Sequence, residues 1–240
     1  MDTPIYVTLT RQSGLLKELQ MTANNVANMA TTGFRAEGLV FAEMVKAMPV
    51  EGGSVSMTDA RVRYTDYLQG ELAKTGGSLD LGIQGEGFFQ IESPDGLRLT
   101  RGGAFLSNAA NELVTSQGHR VLDQGGAPIF IPPDASVISV SEDGTVGADG
   151  RPVAQVGVVT VEDKSSLIRE GNTYFRADGD IVPVENPSIF QGFLEQSNVN
   201  PVASISRLVE LQRAYEMGQS LMDSEDQRIR NVIRTLGGRG

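Results

Sequence analysis

Hydrophobic positions follow three different rules along this chain. From Leu9, steps of three and four reach Gln12, Leu16, Leu19, Ala23, Val26 and Ala30, and six of these seven are apolar. That spacing draws one stripe along a helix. Thr3 stands where an N-cap belongs and Pro4 at the first helical position, where a missing N–H costs little. Gly33 follows as the expected C-terminal cap. Near the other end a second seam runs through Leu208, Leu211, Tyr215, Gly218, Met222, Glu225, Ile229, Val232 and Leu236, interrupted only by Gly218 and Glu225. Asn200 caps it and Pro201 opens it. About 36 helical residues would extend ~54 Å at 1.5 Å per residue. A helix that long outruns a small domain, so its stripe is expected to be buried on something else.

Between the seams the period changes. From Leu79 to about Gln191 strand and turn signals recur at short intervals. The strands expected are Phe88 to Ile91, Leu97 to Thr100, Glu112 to Thr115, Ile129 to Ile131, Val137 to Val140, Val153 to Val161 and Thr173 to Arg176. Turns are expected at Pro94-Asp95-Gly96, Gln124-Gly125-Gly126, Asp143-Gly144, Asp149-Gly150 and Asp178-Gly179. From Met44 to Ser78 the pattern fails apart from a brief alternation around Val62 to Leu68, and Met48-Pro49, Gly52-Gly53-Ser54 and Gly76-Gly77-Ser78 punctuate what reads as extended chain or a loose hairpin. The fold class expected is therefore α+β, with N- and C-terminal helices forming a coiled-coil-like assembly domain around an inserted all-β domain. Its expected segments are an N-terminal assembly helix over 1–36, an extended or hairpin inter-subunit segment over 37–78, a β-rich outer domain over 79–194 and a C-terminal assembly helix over 195–240.

Asn24-Asn25-Val26-Ala27-Asn28 sits inside the first seam. Asparagine is poor helix filler because its amide competes for backbone hydrogen bonds. The plain reading is a fraying helix end. The sharper one is that Asn24 and Asn28, four apart on one face, bond to neighbouring helices and fix their register.

Charge sharpens the division. Residues 37–200 hold eleven basic and twenty-three acidic side chains, whereas 1–36 hold three and two, and 201–240 six and five. The acidity belongs to the insert, and the near-neutral ends can approach copies of themselves without strong repulsion. No basic stripe exists to displace counterions from phosphates, so nucleic acid is not an expected partner. There are no cysteines, which removes disulfides and thiolate metal sites. No apolar run reaches the roughly 20 residues of a membrane span, and Met1-Asp2-Thr3-Pro4 lacks the basic start of a cleavable signal peptide.

Catalytic patterns are weak. The glycines of Gly82-Ile83-Gln84-Gly85-Glu86-Gly87 have the wrong order for a dinucleotide loop. His119 is the only histidine, so a nucleophile–base pair or a histidine metal site would hang on it alone. Asp80, Glu86, Glu92 and Asp95 cluster in sequence and could supply a glycosidase pair, but thirty acidic residues give clusters without purpose. The expectation is a non-enzyme without cofactor or metal.

Four blocks carry a resemblance. Thr22-Ala23-Asn24-Asn25-Val26-Ala27-Asn28 running into Thr32-Gly33-Phe34-Arg35 resembles the N-terminal signature of flagellar basal-body rod and hook proteins. Gln69-Gly70-Glu71-Leu72, leading to Leu79 through Phe89, looks like that family's entry into its β domain. Leu99-Thr100-Arg101-Gly102-Gly103-Ala104-Phe105 is similar to its next strand. Leu194-Glu195-Gln196-Ser197-Asn198-Val199-Asn200-Pro201-Val202 and Gln212-Arg213-Ala214-Tyr215-Glu216 resemble its C-terminal helix entry and body. The opening Met1-Asp2 with Ile5-Tyr6-Val7 and the modest length look most like a proximal rod member, with a distal rod or hook member as the near alternative.

The resemblance implies a structural subunit exported through the flagellar secretion apparatus without a cleaved signal. Such subunits stack helically, termini innermost, into a torque-transmitting shaft across the periplasm. The partners implied are copies of the chain and other rod subunits. Together the seams and signatures nominate a subunit interface of Leu9, Leu16, Leu19, Asn24, Asn25, Val26, Asn28, Phe34, Asn198, Asn200, Leu208, Leu211, Tyr215, Met222, Ile229, Val232 and Leu236. The rival from a different class is a secreted β-rich binding module with helical oligomerisation ends, which would close into a small oligomer.

Overall fold

The computed structural model describes residues 3–47 and 54–237, with side chains described for 8–40 and 62–236. Met48-Pro49 and Gly52-Gly53 lie outside the described residues. The chain is α+β and divides into two compact units.

The first unit gathers Met1–Ala27, Ala36–Asp66 and Val199–Gly240. It holds helix α1 (Thr3–Ala27), strands β1 (Glu37–Ala47) and β2 (Ser54–Thr65), and helix α2 (Pro201–Gly237). The strands pair antiparallel from Glu37 opposite Thr65 to Ala47 opposite Ser54, with an irregularity between Val40 and Phe41. The stretch read as extended chain or a loose hairpin thus contains a long ladder, of which the brief alternation around Val62 showed only one end. α2 starts as expected: the Asn200 Oδ1 accepts the Ala203 N–H at 3.0 Å, the capping bond of an N-terminal asparagine. α1 stops earlier than its seam. It ends at Ala27, and Asn28 begins a turn in which its carbonyl accepts the Thr31 N–H at 3.1 Å. Gly33 therefore does not cap the helix, although its φ of +70° is left-handed; its role lies in the second unit.

That unit comprises Asn28–Arg35 and Tyr67–Asn198. Its largest sheet has nine strands, and Phe88–Ser93 is buried on both faces at its start. Phe88 and Phe89 are adjacent, so they point to opposite sides. Phe89 and Ile91 enter a cluster with Leu81, Ile83, Phe105 and Val121. Phe88 enters a second cluster with Leu99, Val161 and Phe175. Five of the seven expected strands fall within a residue or two of their places. Two need correction. Val153–Val161 is two strands, Arg151–Gln155 and Val158–Val161. The break falls where the Val156 N–H turns to the Gly144 carbonyl and the Gly157 N–H to the Leu122 carbonyl. Ile129–Ile131 makes only an isolated bridge, Phe130 to Glu112, because Pro132 and Pro133 offer no N–H to extend it. The Asp149-Gly150 turn is the tight one. Both residues have positive φ, +49° and +77°, the type I′ geometry that joins Thr145–Ala148 to Arg151–Gln155.

Candidate functional site

Two arrangements stand out, one in each unit. In the first, α1 and α2 lie antiparallel: Glu18 pairs with Arg207 while Gln12, earlier in α1, meets Tyr215, later in α2. The Glu18 Oε1 accepts from Arg207 Nε at 2.9 Å and Nη2 at 2.6 Å. This carboxylate raises the Arg207 pKa, chiefly through the side-chain hydrogen bond, against a lowering by burial. Leu211 and Met21 are buried in this unit. Gln12 is also buried, at 6% exposure, and its Nε2 donates to the Tyr215 carbonyl at 3.1 Å. Its amide lies over Gly218. The polar interruption of the first seam therefore faces the glycine interruption of the second.

Asn25, from the asparagine run, closes the same unit. Asn25 Nδ2 donates to the Glu37 carbonyl at 2.8 Å, and its Oδ1 accepts the Glu37 N–H at 3.0 Å. The amide thus imitates a strand neighbour and ties the end of α1 to the start of β1. Both of its functional groups are engaged within the chain.

In the second unit three charged side chains are buried together. Glu195 is 1% exposed, Arg101 2% and Arg35 3%. Glu195 Oε1 takes Arg35 Nη1 at 2.7 Å and the Gly70 N–H at 3.0 Å. Its Oε2 takes Arg101 Nε at 2.7 Å and Nη2 at 2.6 Å. One carboxylate between two guanidinium groups leaves an excess positive charge, and backbone carbonyls meet it. Arg101 donates to Gly87 at 2.6 Å, Gly85 at 3.0 Å and Ile83 at 3.2 Å, and Arg35 donates to Leu68. Burial pulls the Arg101 pKa below its usual value, and Glu195 opposes that shift; a guanidinium stays charged regardless.

Around this knot the chain is held by its backbone. The Gly33 N–H donates to the Glu195 carbonyl at 2.8 Å and the Gln196 N–H to Glu71 at 2.8 Å. A Cβ on Gly33 would sit 2.3 Å from the Gly102 nitrogen, which explains the glycine twice over, by space and by positive φ. Phe34 is fully buried with the Arg169 guanidinium 4.9 Å from its ring centre, equally close to Phe175. The four sequence blocks, far apart along the chain, therefore meet at one carboxylate.

The nominated interface residues divide by exposure. Leu9, Leu16, Asn200, Ile229, Val232 and Leu236 are exposed; Leu19, Asn24, Val26, Asn198, Leu208, Tyr215 and Met222 are half-buried; Asn25, Asn28, Phe34 and Leu211 are buried. Sequence reasoning did not single out Arg35, Arg101 or Glu195, and it named Gly218 only as an interruption of its seam. The signal available was chemical: charged residues inside apolar, glycine-rich signatures are rarely buried unless paired. The acidic cluster does not converge. Glu86 pairs with Lys164 at 2.6 Å, Glu92 with Arg120 at 2.7 Å, and Asp80 accepts from the Thr75 hydroxyl at 2.6 Å.

Arg35, Arg101 and Glu195 each lie in a segment that family comparison assigns to flagellar rod and hook proteins, at both ends and in the middle of the chain. Residues 5–35 match the model for flagella basal body rod protein, 82–148 that for the flagellar hook protein FlgE/F/G D1 domain, and 191–235 that for the flagellar basal body rod FlgEFG protein C-terminal region. The chain belongs to the flagellar basal-body rod protein family. It is 40% identical to the flagellar basal-body rod protein FlgF of Caulobacter vibrioides and 36% identical to that of Mesorhizobium japonicum, over 99% of both chains in each case. It is 28% identical to FlgG of Bacillus subtilis over 95% of this chain and 97% of that one. FlgF before FlgG is the order that its opening residues suggested.

Proposed function

We propose that this rod subunit stacks helically with copies of itself and with other rod subunits through α1 and α2, and that it acts as shaft material rather than as an enzyme. The observation that carries this reading is where its exposed apolar surface lies. Leu9 and Leu16 on α1, and Val202, Ile205, Val209, Met217 and Leu221 on α2, are all at least 40% exposed, although the two helices already pack on each other. A helix pair left apolar on its outer faces has a further partner to meet, and a coiled-coil-like tube of such pairs would cover it. The exposed interface residues would make the direct contacts. Asn25, Asn28, Phe34 and Leu211, buried in their own units, would act by holding those contacts in place. The β unit, with the acidic surplus, would face outward. Secretion through the flagellar export apparatus into a periplasm-spanning rod follows from the same reading.

The test is incorporation. In a strain lacking its own copy, the chain carrying Leu9→Asp and Leu16→Asp is expected to be made and secreted, to be missing from isolated basal bodies, and to leave cells non-motile. Normal incorporation of that variant would reject stacking through the helices.

A further inference from the structure

The order of residues along the chain sets a problem for the β unit. That unit is Asn28–Arg35 with Tyr67–Asn198, and synthesis delivers it from the N-terminal end. Every buried residue of its two apolar clusters lies at or before Ile189, and every strand of the nine-stranded sheet at or before Pro183. The apolar drive to fold is therefore complete before Phe193–Glu195, the strand that pairs with Leu72–Lys74, has arrived. The charges are not complete. Arg101 precedes its carboxylate partner, Glu195, by 94 positions.

Nothing earlier in the chain replaces that partner. The other carboxylate whose charge acts on Arg101 is Glu86, which is 74% exposed and already paired with Lys164. Turning the guanidinium out to water does not solve the problem either. Its Nη1 supplies the carbonyl of Gly87, a buried residue, with a hydrogen bond at 2.6 Å, and swinging it away removes that bond. The backbone beside it has no slack: a Cβ on Gly103 would lie 1.7 Å from the Leu81 carbonyl oxygen. A chain that ends short of residue 195 must therefore bury a cation without its counter-ion or leave the unit open.

We propose that Glu195 is a folding gate: the β unit stays open while the chain is incomplete and closes only when residue 195 arrives beside Arg101. The same short segment then captures the other places where the chain enters the unit. The Glu195 carbonyl accepts the Gly33 N–H, the Gln196 N–H donates to the Glu71 carbonyl, and Asn198 Nδ2 donates to the Leu68 carbonyl at 2.9 Å. A unit that closes at that moment always closes with Asn28–Arg35 already threaded into it. Until then the chain remains extended, the form in which a polypeptide can pass along a narrow channel. The gate is independent of how the terminal helices stack.

Ribosome-bound chains of the natural sequence, stalled at successive lengths and digested briefly with protease, read the point of closure. Wild type is expected to show a resistant β unit only after residue 198 has left the ribosome tunnel, its folded-to-unfolded ratio rising about a hundredfold or more there. Missing strand pairs alone would also delay closure, so two variants isolate the charge. Arg101→Met removes the cation. Gln69→Glu supplies a carboxylate early: the Gln69 amide shares the Ile83 carbonyl with Arg101, and its Oε1 already accepts the Gly85 N–H at 2.9 Å. Both variants are expected to become resistant at shorter lengths, with Ile189 out and Glu195 still inside the tunnel. The purified full-length variants, digested alongside, show that each folds when complete; if Arg101→Met does not, Gln69→Glu decides alone. A wild type resistant before residue 195 emerges would overturn the gate. So would a wild-type onset in Gln69→Glu, which would assign the delay to strand pairing and not to charge.

Discussion

The side-chain amide of Gln12 occupies the space that a side chain at Gly218 would need: a Cβ there would lie 1.6 Å from Gln12 Nε2. The two residues are 206 positions apart, and each breaks the apolar rule of its own seam. Alanine in a helix interior normally gains about 1 kcal/mol over glycine. Here Gly218→Ala must push the amide off the Tyr215 carbonyl and leave a buried polar group unpaired, at roughly 1–3 kcal/mol. The expected net effect is destabilisation of the helix unit. Gln12→Ala in the same chain should reverse it, making the double variant more stable than Gly218→Ala alone. Thermal unfolding followed by helix ellipticity gives the cycle. Additive single effects would show that the two residues do not interact.

Glu195 should be the most sensitive position of the β unit. Removing one partner from a buried ionic cluster costs about 3–5 kcal/mol, because the remaining charges keep their desolvation without their counter-ion. Glu195→Ala leaves two buried guanidinium groups facing each other. Urea unfolding of the variant is expected to show a loss of that size, or no folded β unit at all. Arg101→Met, which removes one of the two cations, should fold and cost less than Glu195→Ala. Equal stability of Glu195→Ala and wild type would mean that the cluster does not hold the unit together.

How much of this was readable without coordinates depends on period. α2 was legible because cap, proline and seam agree over many turns. The β region was legible where aromatic and β-branched residues sit together, as at Phe88–Ser93, and less so where glycine dilutes the run, as in Leu81–Gln84. In the hairpin of β1 and β2 alternation is brief, as at Ala60, Val62 and Tyr64, and Phe41-Ala42 and Met44-Val45 in β1 break it. The knot at Glu195 was hidden for a different reason. Its members were all quoted within signatures, but a sequence pattern says that Arg35, Gly70, Arg101 and Glu195 are present, not that they meet. Contacts between residues so distant in the chain are set by the fold of the whole unit. The end of α1 was misplaced because Ala30 continues the seam, while the bonds of Asn25 and Asn28 that end the helix are tertiary and local in turn.

Asn25 gives an opposite-sign test between helix filler and tether. As filler, alanine should stabilise by roughly 0.5 kcal/mol. As the tether seen here, with two hydrogen bonds to Glu37, it should destabilise by about 1–3 kcal/mol. The expected outcome of Asn25→Ala is destabilisation, together with faster hydrogen exchange at the Glu37 amide. Unchanged exchange at that amide would refute the tether.

Acid should weaken the β unit through its turns. The Asp143 carboxylate accepts the Thr145 N–H at 3.0 Å and its hydroxyl at 2.9 Å, and these bonds, the backbone one first, hold its pKa below the usual value. Asp163 is lowered in the same way by the Ser165 hydroxyl and N–H. A carboxylate whose pKa is lower folded than unfolded stabilises fully above the unfolded value, and that contribution is lost as pH falls through the folded one. Stability should therefore be level near neutrality and decline below about pH 4. Asp143→Ala with Asp163→Ala should lower the neutral value and flatten the acid decline. Parallel acid profiles for variant and wild type would contradict this account.

Helix continuity is the last requirement. Ala214 lies in the middle of α2 and lines the groove shared with α1. Proline there removes the hydrogen bond to the Glu210 carbonyl and crowds that carbonyl with its ring, at about 3 kcal/mol or more. The resulting kink would misdirect everything beyond it, including Ile229, Val232 and Leu236. The β unit, with its own core, should unfold at its wild-type midpoint. Ala214→Gly supplies the control: it costs only about 1 kcal/mol and leaves the helix able to run straight. Ala214→Pro should therefore abolish motility and basal-body incorporation, while Ala214→Gly keeps most of both. A motile strain carrying Ala214→Pro at normal levels would mean that the rod does not need α2 as one continuous helix.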